Sequence, residues 1–255
     1  MANSGNGSYG VTQTQTLLIM LVVFLVMFVL IAVPFYNSYK QKYTLTRLRR
    51  VYASLMQANR MYSLVAGDNQ NDFNTTLPVN VFAETYYTPY LTIQSYCKGK
   101  QDDCWNSPQY KDLNNHKVFD KSLYSIILED GVVIGFNKNK QGLLSMIIDI
   151  DGKAGANKLG RDIFVFYFYN NKLQPKICSA DKYSKYNIQN GLHFGGYDRC
   201  GIPQDIYTFN DLTKKELEDG CNKRSEDNPI GLGAGAACTA LIRASNWSIA
   251  KKYPW

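Results

Sequence analysis

The chain has 255 residues, with 28 Lys and Arg against 21 Asp and Glu and a formal net charge of +7. The basic residues are spread along the chain, and their tightest group, Arg47 to Arg50, stands close to a long apolar run, a placement that suits lipid headgroups better than nucleic acid. No G-x-S-x-G, H-E-x-x-H or P-loop pattern occurs and His116 and His193 have no plausible catalytic partners, which argues against the enzyme classes those motifs mark.

Residues 1–16 are a polar leader without Lys or Arg. Residues 17–35 follow as an apolar run without a charged or polar side chain. A hydrocarbon core about 30 Å thick needs roughly 20 apolar residues of helix, so this run is long enough to span a bilayer. A cleaved secretory signal fits poorly, because the leader lacks a basic n-region and Pro34, Phe35, Tyr36 and Asn37 stand where small residues are needed.

Residues 36–66 are expected to continue the same helix in amphipathic form. Leu48, Val51, Leu55, Ala58, Tyr62 and Val65 recur at steps of three and four, a single stripe, with Arg47, Arg49, Arg50 and Arg60 off it. Pro34 is expected to bend the helix, because proline removes a backbone donor and crowds the preceding turn. Ala66-Gly67-Asp68-Asn69 reads as its end.

Residues 67–255 are long enough to bury a core as a globular head. All six cysteines, Cys97, Cys104, Cys178, Cys200, Cys221 and Cys238, fall in this part. An even count on one side of a membrane span points to disulfides and an oxidising compartment, and the absence of Cys-x-x-Cys argues against zinc. Cys97 and Cys104 are a plausible local pair, worth roughly 2 to 3 kcal/mol on the chain-entropy model; the other pairings stay open. Lys40, Lys42, Arg47, Arg49 and Arg50 follow the apolar run, so a simple positive-inside count would put the head in the cytoplasm. The cysteines argue for the opposite side and concern the whole head.

The head reads as an antiparallel meander. Residues 125–129 and 132–136 flank Asp130-Gly131, a two-residue type I′ hairpin signal. Strands are expected at 143–150 and 162–169, and two short ones at 238–243 and 247–250. The expected class is α+β, with the long helix covering one face of the sheet.

Asp149, Asp151, Asn157 and Asp162 surround a glycine-containing turn. They offer the hard oxygen ligands that Ca²⁺ prefers, although the spacing departs from the EF-hand loop and ordinary turn chemistry accounts for the same residues. Gly231-Leu-Gly-Ala-Gly-Ala236 is not G-x-G-x-x-G and precedes an expected strand, so it reads as a loop.

Ala32-Val33-Pro34-Phe35-Tyr36 at the end of an apolar helix, its amphipathic continuation and the sheet that follows resemble the bacterial type IV pilin and type II secretion pseudopilin family. The segment 150–164 resembles a sheet-turn motif of such proteins, and Cys238-Thr-Ala-Leu-Ile242 with Trp247 and Tyr253-Pro-Trp255 is similar to their closing hairpin. The resemblance implies a leader cut by a prepilin peptidase, here after Gly10, leaving Val11 as a methylated first residue. It also implies a glutamate at the fifth mature position that pairs with a neighbouring subunit's amine. Gln15 stands there, so the amide keeps hydrogen bonding and gives up charge pairing; the family's proline position fits a start at Gln13 better than at Val11.

The expected function is that of a non-enzymatic pilin-like subunit of a type IV pilus or type II secretion pseudopilus, minor or atypical. Its expected partners are the inner membrane, sister pilin subunits through the N-terminal helix, the prepilin peptidase and an assembly platform, with the head outside the cytoplasm. Nucleic acid is not expected as a partner. The competing reading is a static membrane-anchored domain whose head binds a surface ligand.

Overall fold

The computed structural model describes residues 13–67, 73–98, 109–119, 123–152, 154–170, 172–173, 178–179, 188–197, 200–203, 220–222, 233–249 and 253–255. Contacts divide the chain into two units, Met1–Tyr43 and Thr44–Trp255. In the first, every described residue belongs to helix α1, Gln13–Ala66, and Pro34 lies inside that helix. The large apolar side chains from Leu17 to Ile31 are all exposed.

The second unit starts with the rest of α1. Leu48, Val51, Leu55 and Ala58 are buried as the stripe requires, joined by Thr44 and Asn59. The stripe gives out before its expected end: Tyr62 is half-buried and Val65 is 73% exposed. Gly67 ends the helix with φ +70°, its N–H bonding the Ser63 carbonyl at 3.0 Å, the left-handed conformation glycine adopts without a Cβ penalty. Helix α2, Val79–Tyr86, and a 3-10 turn, Thr88–Tyr90, lead into the sheet.

Six strands form one antiparallel sheet in chain order. They are β1, Ile93–Lys98, β2, Tyr124–Leu128, β3, Val133–Lys138, β4, Leu144–Asp149, β5, Ile163–Tyr169, and β6, Gly191–Phe194. Every pairing is antiparallel. The α+β expectation holds.

Both faces of the sheet are covered. One carries Ile126, Ile134, Phe136, Met146, Ile148, Phe164, Phe166 and Phe168 in a single cluster with Leu48, Val51, Leu55 and Ala58 of α1 and Phe82 and Tyr86 of α2. Tyr52 adds its ring against Phe194, centroids 4.8 Å apart, and against Trp247 at 5.6 Å. The other face carries Val133, Ile147, Val165 and Tyr167 under Tyr110, Phe119, Leu159, Tyr197 and Ile202. Strand β5 is buried at every position, which is why it reads as an unbroken apolar and aromatic run instead of an alternating one.

Three local expectations are corrected. Ile127 pairs with Val133, the Leu128 N–H bonds the Val132 carbonyl, and the Gly131 N–H bonds the Leu128 carbonyl at 2.9 Å. Only Gly131, at φ +80°, is in the left-handed region, so the loop is a three-residue Glu129-Asp130-Gly131 turn closed by a glycine bulge, not a two-residue type I′ turn. Residues 238–243, expected as a strand, belong to a helix α3, Cys238–Ala244, and the described residues of 247–250 form no strand. Leu241 and Ile242 side chains, with Cys238, join the α1 cluster, while the Val165 N–H donates to the Thr239 hydroxyl at 3.0 Å.

Candidate functional site

All four expected processing and assembly residues lie on or before α1 in the chain. Gly10 and Val11 lie outside the described residues, whereas Gln15 and Pro34 both lie in α1. The helix is long and apolar enough to cross a membrane, and no residue of its most apolar window is buried.

The head begins to be fixed where α1 enters the second unit. Arg47 reaches the turn between β2 and β3, donating to the Asp130 carbonyl and lying 3.7 Å from its carboxylate. The Arg49 guanidinium stands over the Trp247 ring, 5.6 Å from its centroid, and donates to the Trp247 carbonyl at 3.1 Å. Two arginines placed off the apolar stripe thus tie α1 to a hairpin turn and to the C-terminal segment.

The acidic turn after β4 is more ordered than its sequence suggests. Asp149 is fully buried, accepts the Tyr110 hydroxyl at 2.5 Å and accepts the Gly152 N–H at 2.9 Å. Burial first, and the nearby Asp162 and Asp151 carboxylates second, push its pKa up to about 8. Burial first, and then the Asp149 carboxylate that accepts its hydroxyl, raise the Tyr110 phenol well above its ordinary value, with smaller contributions from Asp162 and Asp151. Asp162 accepts the Asn157 and Lys158 N–H groups, each at 2.7 Å. A side chain at Gly155 would collide with the carboxylates of Asp151 and Asp162, so those two aspartates converge on the glycine backbone.

The turn is clamped from outside its own sequence. The Lys111 N–H bonds the Asn157 carbonyl and the Leu159 N–H bonds the Lys111 carbonyl, both at 2.9 Å. Asp112, also buried, accepts the Asn114 and His116 N–H groups at 2.8 Å each. His116 Nδ1 lies 3.3 Å from its other oxygen, so this histidine has a carboxylate neighbour after all. Among the described residues no group of three or more His, Cys, Asp or Glu is arranged to hold a metal ion. What the described hydrogen bonds of Asp149 and Asp162 do is turn chemistry. Tyr110 and Asp112 were missed in the sequence; the only signal for them was the turn-forming cluster Asp112-Leu-Asn-Asn.

Two disulfides are described, Cys178–Cys200 and Cys221–Cys238. Cys97 is disulfide-bonded as well, while its expected partner Cys104 lies outside the described residues. The glycine-rich 231–236 segment precedes a helix and not a strand. Gly233 packs against the Asp112 side chain and Gly235 against the Leu159 carbonyl, so its described glycines serve close packing.

These features define an α+β protein with an N-terminal apolar helix and a disulfide-bonded head built on a six-stranded antiparallel sheet. Residues 35–255 match a family of unknown function, DUF6613, and the chain belongs to that family. No curated protein matches the chain, and no solved structure does.

Proposed function

We propose that this protein is a non-enzymatic, pilin-like structural subunit, held in the bacterial inner membrane by α1 with its head outside the cytoplasm and assembled into a type IV pilus or type II secretion pseudopilus-type filament. The observation that carries this reading is the division of labour within α1. Among the described residues, none in its most apolar window is buried, while the stripe from Leu48 to Ala58 is part of the head's core. A helix that is at once a membrane-compatible element and a core element stays joined to its head when it leaves lipid for a bundle of sister helices. Exchange of lipid for helix contacts proceeds through van der Waals packing and interhelical hydrogen bonds, because lipid tails are as apolar as the helices. The disulfides favour a head on the oxidising side.

Gln15 and the neutral leader favour a second reading, a static anchored binding domain, because the charge pairing that recruits a subunit to its neighbour is lost. N-terminal sequencing of the protein from membranes decides between them. A methylated N-terminus at Val11 or Gln13 supports a processed, assembling subunit; an intact Met1 removes that reading and leaves the static anchor.

A further inference from the structure

Just past the apolar run, α1 changes character within two turns. Tyr36, Tyr39, Lys40 and Tyr43 stand at i, i+3, i+4 and i+7, positions that share one face of a helix. The three tyrosines are 64%, 68% and 44% exposed, and the Tyr39 and Tyr43 rings lie nearly parallel with centroids 6.3 Å apart. Lys42 is exposed one step off this face. From residue 13 to residue 67 there are six Lys or Arg and no Asp or Glu.

We propose that Tyr36, Tyr39, Lys40 and Tyr43 form a headgroup-level band that docks an anionic phospholipid in the leaflet facing the head, with Lys42 at its margin. This rests on the reading that α1 spans a membrane. Tyrosine suits that depth because its ring is apolar and its hydroxyl is wet, and lysine stems lie along apolar surface while the ammonium reaches a phosphate. Charge selects the occupant. A second copy of the chain would bring lysines against lysines on a helix that has no carboxylate to pair them. An anionic headgroup neutralises them. With the head outside the cytoplasm, as proposed above, the same contact gives the basic residues after the span an anionic neighbour on the side that a positive-inside count disfavours.

The test uses the full chain in phosphatidylcholine vesicles doped with spin-labelled phosphatidylglycerol or spin-labelled phosphatidylcholine, and reads the fraction of each label immobilised by the protein. Resistance to alkaline carbonate reports separately on whether the chain is inserted. The wild type is expected to prefer the anionic label on the order of fivefold, the weight of about one basic residue near a lipid surface, with the preference shrinking at high salt. K40Q/K42Q brings the ratio towards one, Y36L/Y39L/Y43L lowers it at unchanged charge, and R60Q, which removes a distant exposed charge, leaves it intact. Equal immobilisation of both labels by a carbonate-resistant wild type overturns the band and spares the anchor. Extraction by carbonate overturns both. An R60Q effect as large as that of K40Q/K42Q assigns the preference to overall charge and overturns the band, as does a band shielded from both labels in a chain that sediments as a dimer.

Discussion

Asp149 sits in an environment that opposes the charge its type ordinarily carries. It is buried beside two other acidic residues, and its carboxyl is held mostly neutral at pH 7 because its pKa is raised to about 8. The unfolded chain releases that proton near pH 4, so between about pH 4 and 8 the folded state binds more protons and stability falls as pH rises, by about 1.4 kcal/mol per pH unit for one such group. Asp149→Asn fixes the neutral form and keeps an oxygen for the Gly152 N–H. Denaturation midpoints measured from pH 5 to pH 8 are expected to show D149N gaining on the wild type as pH rises, and a gap that does not change with pH refutes the assignment. Melts with Ca²⁺ in place of EGTA are expected to keep their midpoint. The aspartates were visible in the sequence as turn formers, but the burial of Asp149 was not, because the Tyr110 that covers it comes from a segment 39 residues earlier without a periodic pattern.

At the scale of elements, period and burial agreed where one partner dominated the packing. The α1 stripe was legible from Leu48 to Ala58 because steps of three and four return to one face, and that face meets the sheet. Its continuation to Val65 was misread, since periodicity says which residues share a face and not where the opposing surface ends. Leu55→Ala removes a fully buried side chain and is expected to cost about 2 to 5 kcal/mol, whereas Val65→Ala is expected to stay within about 0.5 kcal/mol. Chemical denaturation of the two variants measures the contrast. Helix α3 was misread for a different reason. Seven residues with a β-branched pair are too short for a period to declare itself, and the burial of all but the last two erased the alternation that separates strand from helix. The β2–β3 turn was found at its correct place with the wrong geometry, because Asp-Gly fits a glycine bulge as well as a type I′ turn.

For the whole molecule, the four central strands of the meander were legible, whereas the outer strands β1 and β6 and the closing contacts were not. Cys221–Cys238 links a segment after the sheet to the start of α3 across 17 residues. On the chain-entropy model such a loop contributes about 3 kcal/mol. Gly160, at φ +77°, is the neighbour that admits Cys238, since a Cβ there would meet its sulfur at 2.5 Å, and Tyr253 donates its hydroxyl to the Gly160 carbonyl. Replacing Cys221 and Cys238 together by Ala is expected to lower stability by about 3 kcal/mol, read as a shift in urea midpoint. A wild type whose midpoint is the same with and without reductant counters this.

The strict chain order of the sheet sets a timetable. A strand that needs only its predecessor can pair as soon as it emerges during synthesis, without waiting for sequence still to come. Non-local contacts arrive later because a longer loop must close first. The core stripe of α1 is present from the start as a ready surface for each new strand, and α3, with Thr239 bonded to the Val165 N–H and Cys238 locked to Cys221, arrives only after the whole sheet, followed by Trp247 and Tyr253. A chain halted before residue 238 lacks the Leu241 and Ile242 side chains that complete the α1 cluster, so α3 acts as a latch that closes the core late in synthesis.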